Sequence, residues 1–104
     1  MFQRLYSKGT SVSDKNIVIY YLPNRISVNR LGITVSKKMG CAVVRNRTKR
    51  LIRECYRLNE LKVKQGYDIV IVARKHIVEA DFHSIRTSFE KLMKKQDMLV
   101  KDDE

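Results

Sequence analysis

Residues 28–58 read V-N-R-L-G-I-T-V-S (28–36), K-K-M-G-C (37–41) and A-V-V-R-N-R-T-K-R-L-I-R-E-C-Y-R-L (42–58), and their period changes midway. In the first part Leu31, Ile33 and Val35 alternate with Arg30, Gly32, Thr34 and Ser36, the period of two that belongs to a half-buried strand. Residues 37–41 form a turn, and helical spacing then runs from Ala42 to about Leu61. Gly66 breaks the helix, and Y-D-I-V-I-V-A (67–73) follows as a strand of almost continuous apolar character. Strand, helix and strand in succession predict a domain of mixed α and β structure.

Outward from this segment the pattern continues. Residues 16–22, N-I-V-I-Y-Y-L, are β-branched and aromatic, and Pro23-Asn24 ends them. They are expected to pair antiparallel with residues 28–36. Phe2, Leu5 and Tyr6 lie at helical spacing in residues 1–8, and Gly9 stops that short helix. Asp81 reads as the N-cap of a last helix to about Gln96, with Phe82, Ile85, Phe89, Leu92 and Met93 as its buried stripe. Residues 97–104 are expected to be a frayed tail. The predicted order is α-β-β-(β)-α-β-α in a single domain over 1–104, with the bracketed strand not located.

Charge points to function. The 104 residues carry a formal +11. Residues 1–75 hold 17 Lys/Arg against 4 Asp/Glu, a balance of +13, and residues 76–104 hold 5 against 7, a balance of −2. A concentrated excess of this size is the footprint of a polyanion partner. No apolar run is long enough to span a bilayer, and the first residues lack the apolar stretch of a secretory signal. Cys41 and Cys55 have no paired spacing and read as reduced thiols. A cytoplasmic protein without a membrane partner is expected.

The excess centres on the middle helix. At about 100° per residue, Arg45, Lys49, Arg53 and Arg57 form a slowly curving ridge, with Arg50 and Arg47 beside it. Val44, Leu51, Ile52, Cys55 and Leu58 occupy the remaining arc and are expected to face the sheet. Among the six cations stands one acid, Glu54, whereas a merely solvated helix interleaves carboxylates at i±4. Guanidinium forks suit phosphate oxygens and stack on bases. A DNA major-groove reader displays Asn, Gln or Ser among its basic residues, and here only Asn46 and Thr48 qualify. Asn46 reads equally as a cap at the helix start. A basic ridge poor in base readers suits folded RNA.

Phe2, Tyr6 and Tyr20 are candidates for stacking on unpaired bases, and core filling is their other reading. The small residues Gly32, Thr34 and Ser36 form a row that a backbone can approach closely. Own-chain nuclease chemistry lacks support. Asp14, Glu54, Glu60 and Asp68 are scattered singly, and His76 and His83 stand apart from each other.

The run S-K-K-M-G-C-A-V-V-R-N-R-T-K-R-L-I-R-E (36–54) closely resembles the signature of the bacterial ribonuclease P protein subunit family. Y-D-I-V-I-V-A-R-K (67–75) and F-x-x-x-Y-x-x-G (2–9) agree in register, so that the resemblance covers about residues 2–95. It implies a role in helping a catalytic RNA remove 5′ leaders from precursor transfer RNAs. It also implies an α+β fold, an α/β sandwich, with a four-stranded mixed sheet and a left-handed β-α-β crossover, a hand that periodicity does not reveal. RNA-subunit contacts are implied for Lys37, Lys38, Arg45, Asn46, Arg47, Lys49, Arg50, Arg53 and Arg57. A cleft for the single-stranded leader is implied at Phe2, Tyr6, Lys8, Tyr20 and Ser36. No catalytic or metal-ligating residue of the chain itself follows, and no cofactor is expected on the protein alone. Mg2+ is expected with the RNA subunit, and no protein partner is required. Members of the family usually carry a further basic stretch before the position matched by Phe2, and this chain opens almost at it. The alternative reading is a ribosomal-type protein that scaffolds structured RNA without processing it.

Overall fold

The computed structural model describes residues 2–100, the side chain of Phe2 excepted. In chain order the elements are α1 (Phe2–Lys8), β1 (Thr10–Ser13), β2 (Ile17–Pro23), β3 (Arg30–Thr34), α2 (Ala42–Asn59), β4 (Tyr67–Ala73) and α3 (Phe82–Lys95). Short 3-10 turns occupy Lys37–Met39 and Lys75–Glu79. The α+β class and the four-stranded mixed sheet agree with the sequence reading. The unlocated strand is β1, whose T-S-V-S holds one apolar residue and so gives almost no periodic signal.

The strand order is β1-β2-β4-β3. Strand β4 runs antiparallel to β2 and parallel to β3. This corrects the expected β2–β3 hairpin: β4 lies between them. The physical reason is in β4 itself. Its residues from Asp68 to Ile71 and Ala73 are buried, and a strand covered on both faces belongs in the middle of a sheet. Strand β3, with Arg30 and Gly32, tolerates an edge.

The pleat sorts the sheet into two faces. Ile17, Ile19, Ile69, Ile71 and Ala73 point to the inner face, where Ile52 and Cys55 of α2 and Ile85, Phe89, Leu92 and Met93 of α3 close the core. Asp81 caps α3 as expected, its carboxylate accepting from the Ser84 amide at 2.8 Å. On the outer face the register aligns Tyr20, Val70 and Gly32 in one row and Leu22, Asp68 and Arg30 in the next. Helix α1 packs over part of that face through the buried Leu5. Gly9 ends α1 where a Cβ would stand 2.5 Å from the Leu5 carbonyl oxygen, so only glycine fits the turn into β1.

Residues 97–100 are not frayed. Met98 is 2% exposed, its carbonyl accepts from the Lys64 amide at 2.8 Å, and Leu99 bridges to Val63. Met98 and Val63 add an apolar strap beyond the α3 stripe, and its burial holds these residues down. Residues 101–104 of the expected tail lie outside the described residues.

Arg30 and Asp68 face each other across β3 and β4. The Nε and Nη2 of Arg30 donate to the two carboxylate oxygens at 2.6 and 2.5 Å, and Asn24 Nδ2 adds a third bond at 3.1 Å. The guanidinium holds the Asp68 carboxyl below the usual aspartate range. The Asp68 side chain is only 7% exposed but Arg30 is 54% exposed, so solvent screens the pair in part and the hydrogen bonds to the buried carboxylate carry most of its worth. Asp68→Asn is therefore expected to cost about 1.5 kcal/mol at pH 7. A depressed carboxylate stabilises above its unfolded pKa and loses that contribution as pH falls through the folded value. The gap between wild type and variant should thus narrow below about pH 4, as read from urea unfolding at pH 7 and pH 3. A gap that held constant into acid would refute the charged pair as its source.

Candidate nucleic-acid interface

Helix α2 is entered through a tight turn. The Ser36 hydroxyl caps the 3-10 turn by accepting from the Lys38 amide at 3.2 Å. Gly40 follows at φ +138°, a conformation that L side chains rarely adopt. Cys41 is the N-cap residue, without a side-chain cap bond. Backbone amides of Val44 and Val43 lower the pKa of its exposed thiol. Buried Cys55 is pushed the other way, to about 11, by desolvation. Asn46 lies inside the helix and exposed, so it is not the cap.

The helix is anchored by Thr48, Ile52, Cys55, Tyr56 and Asn59. This corrects the expected apolar arc: Leu58 is 41% exposed, and Val44 and Leu51 are only half-buried. The true inward direction is turned by about 50° toward the Thr48–Asn59 side, at 100° per residue. Two polar residues go inside because each satisfies itself on the preceding turn. Thr48 Oγ1 donates to the Val44 carbonyl at 2.9 Å, and Asn59 Nδ2 donates to the Cys55 carbonyl at 2.9 Å.

That rotation redistributes the cations. Arg45 and Lys49 move to the flank and are half-buried, and the Arg45 Nε is buried without a hydrogen-bond partner among the described residues. Arg47, Arg50 and Arg53 point to solvent, and none of them forms a salt bridge among the described residues. Arg57 is exposed too, but its guanidinium is engaged by Glu54 one turn back through both Nε and Nη2. Lys37 and Lys38 extend the cationic surface from the turn that packs on the start of α2.

The residues expected in the leader cleft are partly assembled. The Tyr6 ring stands edge-on to Tyr20, with centroids 4.8 Å apart and 74° between planes. Tyr6 is 46% exposed and Tyr20 half-buried, so the pair walls the outer face without vanishing into the core. Lys8 is exposed at the end of α1, and Ser36 at the far end of the face beyond Thr34. The side chain of Phe2 lies outside the described residues. Gly32, Thr34, Val18 and Val72, all half-buried, lie on the same outer face.

Sequence reading missed two features. One is the Arg30–Asp68 pair at the edge of that face, where the two residues are far apart in the chain. The other is a set of cations at the end of the sheet, brought together from three separate segments. Among the described residues no three His, Cys, Asp or Glu side chains come together as a metal group. Nor is any described helix long and apolar enough to cross a membrane.

Comparison with known proteins places this arrangement in a family. A family model described as Ribonuclease P matches residues 1–97. The ribonuclease P protein component of Caldanaerobacter subterraneus is 55% identical over 94 residues, covering 90% of this chain and 81% of that protein. The component from Clostridioides difficile is 46% identical over 100 residues, covering 95% and 88%. Among solved structures, the RNase P protein of Staphylococcus aureus superposes with a TM-score of 0.86 at 39% identity, covering 93% of this chain and 89% of that one. The Thermotoga maritima RNase P protein gives 0.84 at 33%, covering 90% and 89%. With a family model matched over residues 1–97 and a relative 55% identical over 90% of this chain's length, the chain belongs to the ribonuclease P protein family.

Proposed function

We propose that this chain is the protein subunit of a ribonuclease P ribonucleoprotein, binding the RNA subunit through α2 and the 5′ leader of precursor transfer RNA through the outer face of the sheet. One observation carries the reading: Arg47, Arg50 and Arg53 stand together in solvent without a carboxylate partner among the described residues, on a helix whose opposite side is locked to the core. A fold gains nothing from three unpaired like charges side by side. A polyphosphate chain supplies the missing counter-charge, and each phosphate neutralised releases condensed cations.

In this reading the protein holds and neutralises, and hydrolysis belongs to the RNA subunit with its Mg2+. Cations placed where RNA subunit and substrate meet lower the phosphate repulsion that opposes their approach. The Tyr6–Tyr20 wall offers ring faces and edges to an unpaired base, a sequence-tolerant mode suited to leaders that differ from one precursor to another.

The test is reconstitution. Adding the protein to a bacterial ribonuclease P RNA at low Mg2+ should restore removal of the leader from a precursor transfer RNA. Cleavage no faster than with the RNA alone would defeat the assignment and favour a scaffold protein without a processing role.

A further inference from the structure

At the end of the sheet, where β3 and β4 finish and β2 begins, a groove of about 570 Å³ opens between the two 3-10 turns. Lys15, Lys38, Arg74, Lys75 and His76 line it, all exposed, with Glu79 as its one carboxylate. None of the four permanent cations forms a salt bridge among the described residues. Arg74 donates to the Asp14 carbonyl at 3.0 Å, which fixes its side chain without neutralising it. Arg30, Arg57, Lys64, Arg86 and Lys91, by contrast, each have an acidic neighbour.

We propose that this groove is a second phosphodiester-binding site, separate from the outward face of α2, and that its occupant is the backbone of the RNA subunit. The inference rests on the RNA-subunit reading of α2 given above. Four cations converging on a concave surface beside a single carboxylate focus a positive potential that only a polyanion offsets well. Continuity selects the RNA subunit over the precursor: Lys38 sits on the turn that packs against the start of α2, so groove and helix form one basic band around the edge of the core. The mixture of Lys and Arg without aromatic rings fits backbone contacts rather than base reading.

The double variant Lys15→Ala/Lys75→Ala is the test, because neither side chain holds an intramolecular bond among the described residues and the melting temperature should not move. Affinity of the full-length protein for ribonuclease P RNA is measured from 50 to 200 mM salt, beside Arg50→Ala/Arg53→Ala and Arg86→Ala. The groove variant should lower the salt slope by roughly 1.4–1.8, at 0.7–0.9 per phosphate contact. Its weakening should therefore shrink about threefold per lost contact across that range. Arg86→Ala, which removes a cation already paired with Glu90, should leave the slope alone. An unchanged slope for the groove variant beside a reduced one for the α2 variant overturns the groove site and spares the reading of α2. If neither slope changes, both fall. If RNA-subunit affinity holds and only precursor affinity drops in the assembled holoenzyme, the groove belongs to the precursor and the proposal is wrong.

Discussion

Replacing Arg50 and Arg53 together with Ala is expected to weaken binding to ribonuclease P RNA roughly 100-fold at moderate salt, while leaving the fold untouched. Each lost charge-assisted contact is worth about 1.5 kcal/mol or more, and two make about 3 kcal/mol, or two decades in Kd. Neither guanidinium has an intramolecular ion pair among the described residues, so the unfolding midpoint should stay where it is. The salt slope should fall by roughly one to two. Arg57→Ala provides the internal comparison. Its guanidinium is already engaged by Glu54, and its loss should cost far less binding than either neighbour. Equal losses from Arg57 and Arg50 would mean that helix position, not the absence of a counter-ion, selects the contacts.

Replacing Tyr20 with Ala should weaken the holoenzyme's affinity for precursor transfer RNA by about 2 kcal/mol, near 30-fold, and leave affinity for the mature product unchanged. Removing the ring also deprives Tyr6 of its edge contact, at a structural cost of about 1 kcal/mol. Tyr20→Phe separates the two effects, since it keeps the ring in both roles. Precursor binding should survive in Phe and fail in Ala. A loss shared equally by precursor and mature product would remove the leader from this face.

Much of the fold was legible because local rules and tertiary packing agree. The α3 cap and stripe are written in Asp81, Ile85, Phe89 and Leu92, and β4 announces its burial through I-V-I-V-A. The neighbours of β4 were not legible. Its apolar run reports burial but carries no mark of which strands pair with it, and the β2–β3 proximity in the chain suggested the wrong pair. In α2 the cations were found by counting, whereas the rotation of the helix was not. Thr48 and Asn59 look polar to any periodicity argument, and their burial depends on bonds to the turn before them. The Glu54–Arg57 pair lay within reach of an i, i+3 reading and separates one arginine of the ridge from the rest. The groove cations were beyond sequence reasoning, because Lys15, Lys38 and Arg74 meet only once three strands end side by side.

The position of β4 also sets an order of events during synthesis. Both of its partners, β2 and β3, leave the ribosome before it does, and neither pairs with the other. Until Ala73 has emerged to meet Ile17, the growing chain carries two unzipped β edges and an arginine-studded helix with no core beneath it. Closure is long-range and late, which slows folding relative to a helical protein of this size. A nascent chain arrested near residue 60 would therefore expose unpaired strand edges and a cationic helix at once, and their protection waits on the residues that follow.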